Sequence, residues 1–194
     1  MMMVERGGTR LKIMALAQDF LRAHGYNGFS YTHIAQALGV KNAAIHYHFP
    51  GKEDLGVALL NRERRRFKKL AAGSTIQAMS AQEKLDWFFS IYAEYSNQGQ
   101  QVCYLGAFEV GYGDLPQSIK REIRLLHDEM LAWLADVLEQ GRSDGAFEFR
   151  GEAQDKALLL MGAVQGAVQI ARMGSPDQLF AAIRQAKQDL GLGA

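Results

Sequence analysis

The sequence predicts an all-α fold of about nine helices: an N-terminal three-helix module containing a helix-turn-helix, then a C-terminal helical bundle. Three observations carry this. Apolar residues recur at three- and four-residue spacing along most of the chain, while alternating strand patterns are nearly absent. Helix start and stop residues fall between these periodic runs at Thr9, Gly25, Ser30, Gly39, Pro50-Gly51, Asp144-Gly145 and Ser175-Pro176. The chain is 194 residues long and 48% apolar, enough for a packed core and too apolar for disorder to be its main theme.

Thr9 can cap a first helix in which Ile13, Leu16, Ala17, Phe20 and Leu21 share a face, closed by His24-Gly25. Ser30 can cap a short second helix, Tyr31 to Leu38, with Ile34, Ala35 and Leu38 on one side, and Gly39 supplies the left-handed residue that ends it. A third helix runs from about Asn42 to His48, with Ile45 and Phe49 apolar. Pro50-Gly51 breaks it, and Lys52-Glu53-Asp54 opens a long fourth helix with acids at its positive end. After Ala72-Gly73-Ser74, longer segments follow: Gln82 to Gln98, a short glycine-bounded Val102 to Tyr112, Pro116 to Gln140, Asp155 to Met173, and Ser175 to Leu190. Ile119, Ile123, Leu126, Met130, Trp133 and Val137 form a continuous stripe on the third of these. The segment from Asp155 to Met173 is apolar nearly all round and so needs cover on more than one side. No repeat at a solenoid period occurs.

A single cysteine cannot form an internal disulfide, so a stapled extracellular scaffold is excluded and a reducing, cytoplasmic compartment is expected. Met1 to Gly8 lacks the apolar core of a signal peptide. The longest apolar stretch, Leu158 to Ala171, is interrupted by Gln165 and Gln169 and falls short of the roughly 18 to 20 residues that a bilayer crossing needs. No membrane association is expected.

The net charge of +1 is a cancellation. Residues 1–72 carry 12 Lys and Arg against 5 Asp and Glu, a balance of +7; the other 10 bases and 16 acids leave residues 73–194 at −6. Such segregation points to a basic module facing an anion and an acidic module with another task, although the run Arg62 to Lys69 by itself reads as a solvated helix face.

Two short helices joined by about three residues around a glycine, docked on a preceding helix, make a helix-turn-helix. On the third helix Asn42, Ala43, Ala44, His46, Tyr47 and His48 remain outside the apolar wedge, offering donors, acceptors and methyl groups suited to base edges in a major groove. His46 and His48 point about 200° apart on a helix and cannot chelate one ion, and Cys103 is remote, so no metal or other cofactor is expected.

The run Gly28-Phe29-Ser30-Tyr31-Thr32-His33-Ile34-Ala35-Gln36-Ala37-Leu38-Gly39-Val40-Lys41-Asn42-Ala43-Ala44-Ile45-His46-Tyr47-His48-Phe49-Pro50-Gly51-Lys52-Glu53-Asp54-Leu55 closely resembles the DNA-binding segment of the tetracycline-repressor-like (TetR/AcrR) family of bacterial regulators. Its Ile-Ala, Gly-Val, Tyr-His-Phe and Lys-Glu-x-Leu elements occur in register, and the resemblance covers about 50 residues, Thr9 to roughly Leu60. It implies a recognition helix from Asn42 to His48, Tyr47 and His48 as the family's aromatic and histidine pair, Tyr31 near a phosphate, and Lys52 as the lysine opening the fourth helix. The sequence departs from the usual pattern at Lys41, Asn42 and His46, commonly Ser or Thr, Lys, and Tyr. The expected DNA-binding set is therefore Tyr31, Thr32, Lys41, Asn42, Ala43, Ala44, His46, Tyr47, His48 and Lys52. Residues 1–55 form the expected DNA-binding domain and 56–194 the ligand-binding and dimerisation domain, linked by a helix over about 52–72.

A groove-reading helix on a chain of this size usually works in a pair. Gly162-x-x-x-Gly166 with Ala163 and Ala167 offers a small-residue stripe that lets another helix approach, and the resemblance implies that the last two helices form a four-helix bundle across a two-fold axis. The expected homodimer interface is Leu158, Gly162, Gly166, Ile170, Phe180 and Ile183. A mostly apolar cavity with a few polar tips is the expected form of an effector site, drawn from Trp87, Phe88, Tyr92, Tyr95, Cys103, Tyr104, Phe108, His127, Met130, Trp133, Met161, Gln165 and Gln169. Taken singly, most of these read as core residues. Gln165 and Gln169 share a face of an apolar helix, where they bridge the dimer, satisfy backbone groups or fix a ligand. Cys103 reads either as a small buried hydrophobe or as a thiol sensing oxidants or electrophiles.

These features predict a dimeric repressor on a palindromic DNA operator, released by a small-molecule effector of unknown identity, with switching through Cys103 as the alternative. An all-helical enzyme finds no support, because no nucleophile-base-orienter set or phosphate loop is present. A nonspecific architectural DNA binder is distinguished by its lack of sequence preference.

Overall fold

The computed structural model describes residues 3–97, 103–109 and 111–193. Among these residues there are ten α-helices, two short 3-10 turns and no strand. The helices are α1 (Met3–His24), α2 (Tyr31–Leu38), α3 (Asn42–His48), α4 (Lys52–Ala71), α5 (Ser74–Gln77), α6 (Ala81–Asn97), α7 (Tyr104–Glu109), α8 (Gln117–Ser143), α9 (Ala153–Met173) and α10 (Asp177–Gln188). α1 begins ahead of Thr9: Gly7 and Gly8 weaken a helix without forcing it to stop, whereas a proline would. The short α5 lies where a plain break was expected, and Tyr112 falls in a 3-10 turn, Tyr112–Asp114, instead of ending α7. Val102, the expected start of α7, lies outside the described residues.

Packing divides the chain into two units, Met1–Arg65 with Tyr104–Leu126, and Arg66–Cys103 with His127–Ala194; α4 and α8 each contribute to both. Packing thus groups residues 104–126 with the N-terminal helices, which a boundary at 55/56 does not anticipate.

In the first unit α1 buries Ile13, Met14, Ala17 and Leu21 against its neighbours. α7 packs on α1, and Phe108 stacks on Tyr26 at 5.7 Å. Ile119 of α8 lies so close to Gly56 of α4 that a β-carbon there would come within 2.7 Å of its Cδ1, so glycine permits this approach. Arg62 donates to Gln18 Oε1 and Arg64 pairs with Glu122 at 3.5 Å, so part of the basic run on α4 is engaged within the unit.

In the second unit α9 packs between α10 and α6. Its inward face buries Ala157, Leu160, Met161, Val164, Ala167, Val168 and Ala171. The other face leaves Leu158, Leu159, Gly162, Ala163, Gly166, Ile170 and Met173 exposed. Within its own unit α9 is therefore covered on one side only. Phe147 lies across Gly141 of α8, where a β-carbon would meet its ring at 2.1 Å. Lys187–Asp86 (2.6 Å) and Lys68–Glu129 (3.0 Å) are the ion pairs that tie distant parts of this unit's sequence together among those described.

Candidate nucleic-acid interface

α2, the turn Gly39–Lys41 and α3 form the helix-turn-helix in the first unit. Ser30 precedes α2 in extended conformation, and its N–H donates to Nδ1 of His33 at 3.3 Å, supplying an acceptor for a backbone donor at the helix start. Gly39 ends α2 at φ 66°, ψ 32°, a left-handed conformation open to glycine at little cost. The N–H of Gly39 donates to the Gln36 carbonyl (3.2 Å) and that of Val40 to the Ala35 carbonyl (3.0 Å), so the turn satisfies α2's last acceptors before α3 begins. Ile34 and Ala35 of α2 and Ile45 of α3 are buried together with Phe49. Full burial of such side chains stabilises by about 1.5–3 kcal/mol each for the larger ones, which is what holds a seven-residue helix too short to persist alone.

With Ile45 inward, α3 turns Asn42, Ala43, His46 and Tyr47 to the exterior, and Ala44 and His48 are half-buried. Tyr47 is 65% exposed, a large aromatic ring left outside the core, and packs edge-on against His48 at 5.2 Å between centroids. Asn42 donates one amide N–H to Thr32 Oγ1 (3.2 Å), linking the starts of α2 and α3. Lys41, immediately before α3, is extended and exposed.

Two residues of the expected DNA-binding set have partners within the first unit. Tyr31 is buried, and its hydroxyl donates to the Phe49 carbonyl at 2.9 Å, joining the start of α2 to the end of α3. Burial pushes its phenol well above the ordinary tyrosine range. Lys52 folds inward: its ammonium donates to the Phe29 carbonyl and sits over the rings of Phe29 (4.4 Å) and Tyr26 (4.7 Å). Partial desolvation lowers the lysine pKa, and the two ring faces offset the loss of hydration. Its sequence position at the head of α4 suggested a cation facing outward; the aromatic pair contributed by the connection between α1 and α2 draws it in.

Sequence reasoning missed Arg10. It is exposed on α1, with its guanidinium 4.8 Å above the Phe49 ring, so the packing that buries Phe49 also sets a cation beside the end of α3. The only signal in the chain was a basic residue one turn before Ile13, which carries no information until α1 and α3 are brought together.

The expected effector residues fall in both units. Tyr104 and Phe108 belong to the first unit, where both are buried and Phe108 is stacked on Tyr26. In the second unit Trp87 and Trp133 meet edge-on at 5.2 Å beside Phe67, and Phe88 lies 5.2 Å from Tyr92. Phe88, Tyr92, Cys103, Met130 and Met161 are buried, and His127 is half-buried with Nδ1 3.4 Å from Asp128. Gln169 accepts from Arg172 at 3.0 Å, whereas the Gln165 amide nitrogen is buried without a hydrogen-bond partner among the described residues. The Tyr95 side chain lies outside the described residues. Of the expected dimer residues, Leu158, Gly162, Gly166 and Ile170 are exposed, Phe180 is half-buried, and Ile183 is buried within its own unit. No group of three or more His, Cys, Asp or Glu suited to a metal occurs among the described residues. No described helix is long and apolar enough to cross a membrane.

A short exposed helix fixed by a glycine turn against its predecessor, with amide, imidazole, phenol and cation at its surface, defines a helix-turn-helix DNA-binding regulator. Residues 13–59 match the bacterial regulatory proteins of the tetR family. A transcriptional regulator of the TetR family from Agrobacterium tumefaciens superposes with a TM-score of 0.88 at 26% identity, over 95% of this chain and 98% of that one. A TetR transcriptional regulator from Legionella pneumophila gives 0.79 at 29% identity over 92% and 95%. The reduced form of NemR from E. coli shares the fold, with a TM-score of 0.79 at 22% identity over 96% and 99%. No functionally curated protein matches the chain. Residues 13–59 thus carry a DNA-binding segment like that of the tetR-family regulatory proteins, and the chain shares the fold of TetR-family transcriptional regulators.

Proposed function

We propose that the protein is a cytoplasmic repressor that binds a palindromic operator as a homodimer and leaves it when a small molecule occupies the second unit. The carrying observation is the surface of α3, where Asn42, Ala43, His46 and Tyr47 face outward from a helix anchored by Ile45 and Phe49. Arg10 and Lys41 are the phosphate contacts in this reading, in place of Tyr31 and Lys52. Dimerisation is supported by the uncovered face of α9, whose Gly162 and Gly166 have nothing within 4 Å of a built β-carbon. Intrachain packing therefore gives no reason for glycine at either position, and a second copy of the helix does.

Cys103 is 4% exposed. A thiol so placed meets oxidants or electrophiles only after local opening, which favours a reversibly bound effector over a thiol switch.

The test is selection of duplex DNA by the full chain, followed by footprinting with Tyr47→Ala and His48→Ala. A two-fold symmetric site preferred at least about 10³-fold over random DNA is expected for the native chain. Both variants are expected to lose it while remaining dimeric by sedimentation. Unchanged sequence preference in either variant contradicts the assignment of α3.

A further inference from the structure

The His46 ring on α3 is held from two sides. Its Nδ1 lies 3.0 Å from the Pro50 carbonyl oxygen, and its ring meets the Tyr31 ring edge-on at 4.8 Å. Tyr31 is itself immobilised by its bond to the Phe49 carbonyl. A carbonyl oxygen can only accept, so in the neutral ring Nδ1 carries the hydrogen and Nε2 carries the lone pair. His46 is exposed, and Nε2 has no partner among the described residues.

We propose that His46 is a specificity-determining residue that accepts a hydrogen bond from an exocyclic amino group in the major groove through Nε2, with Pro50 and Tyr31 as its positioning groups. In the major groove adenine N6 and cytosine N4 present amino donors, whereas thymine O4 and guanine O6 present acceptors at the corresponding edge. A lone pair fixed toward the groove therefore selects adenine or cytosine on one strand and is repelled by guanine or thymine. This inference rests on the reading of α3 as the groove-reading helix and adds to it the chemical class of base that one position reads.

Two experiments on the full chain test it. With nitrogen-labelled histidine at a pH of about 8, above the ordinary histidine range, the His46 ring, assigned by its disappearance in His46→Phe, is expected as the Nδ1–H tautomer. An Nε2–H tautomer overturns the proposal, and this measurement stands even if the variant binds no DNA. In selection from randomised duplexes, the native chain is expected to enrich adenine or cytosine at one position of each half-site. Substituting purine for adenine, or 2-pyrimidinone for cytosine, at that position of one half-site removes one amine and is expected to weaken native binding by about five- to tenfold, the worth of one hydrogen bond. His46→Phe keeps the ring against Tyr31 and is expected to lose only this preference and to ignore the missing amine. Preferences unchanged at every position in His46→Phe, or a lost preference for guanine or thymine, overturn the proposal alone. Absence of any sequence preference in the native chain overturns the reading of α3 as well.

Discussion

Replacing Gly162 or Gly166 by leucine separates what α9 does within one chain from what it does between two. Neither position has an atom within 4 Å of a built β-carbon, so a larger side chain enters open space in the protomer. Leaving glycine in a helix interior costs about 0.8–1 kcal/mol relative to a good helix former, and that cost is recovered in each variant. A two-fold interface meets each substitution twice. Overpacking a close helix contact costs about 1–3 kcal/mol per site, hence about 2–6 kcal/mol per dimer, and the gain in helix propensity cancels because it is present before and after association. The dimer dissociation constant is then expected to rise by about 30-fold or more, at about 1.4 kcal/mol per decade. Sedimentation equilibrium over a concentration series reads this directly, with circular dichroism showing that helix content is kept. A dissociation constant unchanged in both variants would refute the assignment of this face to the dimer and leave its glycines without a role.

Gly141→Ala is expected to act with the opposite logic: its β-carbon meets the Phe147 ring at 2.1 Å, so the strain of about 1–3 kcal/mol outweighs the helix gain of about 1 kcal/mol and thermal unfolding shifts downward. In titrations of DNA affinity against salt, Arg10→Ala is expected to reduce the slope by about 2 for a dimer losing one phosphate contact per protomer, whereas Lys52→Met leaves the slope unchanged. A Lys52→Met slope matching that of Arg10→Ala would return Lys52 to the DNA surface. Burial, with Glu53 and Asp54 nearby, pushes the Tyr26 phenol from an ordinary 10.0 up to about 12. Unfolded chains therefore release this proton first, and stability is expected to fall as pH rises from about 10 toward 12. Tyr26→Phe is expected to flatten that part of a urea-midpoint profile, and an equally steep profile in the variant would exclude Tyr26 as its source.

Local signals made the helix-turn-helix legible. Ser30, Gly39 and Pro50-Gly51 punctuate it, and Ile34, Ala35 and Ile45 fall on the inward sides that the structure shows buried. α8 was equally readable, because Ile119, Ile123, Leu126, Met130, Trp133 and Val137 follow one helical stripe and all are buried but Trp133, which is half-buried. Helix ends were less so. α1 begins earlier than Thr9 suggests, and α8 runs past the expected end at Gln140 to Ser143, just ahead of Asp144-Gly145, since weak breakers are tolerated where neighbouring turns are stable.

The linear order of residues thus settled where the helices other than α5 form and how charge divides between the two halves of the chain. These properties depend on period, turn chemistry and composition, all of them local. Which way a polar side chain turns depends on what other segments bring to it. Lys52 faces inward because Tyr26 and Phe29 offer it ring faces and a carbonyl, and Arg10 stands beside α3 because Phe49 packs under it. His46 presents one nitrogen rather than the other because the Pro50 carbonyl takes up the first. Each of these is a choice between nearly equal alternatives for an isolated segment, decided by a contact across the tertiary fold.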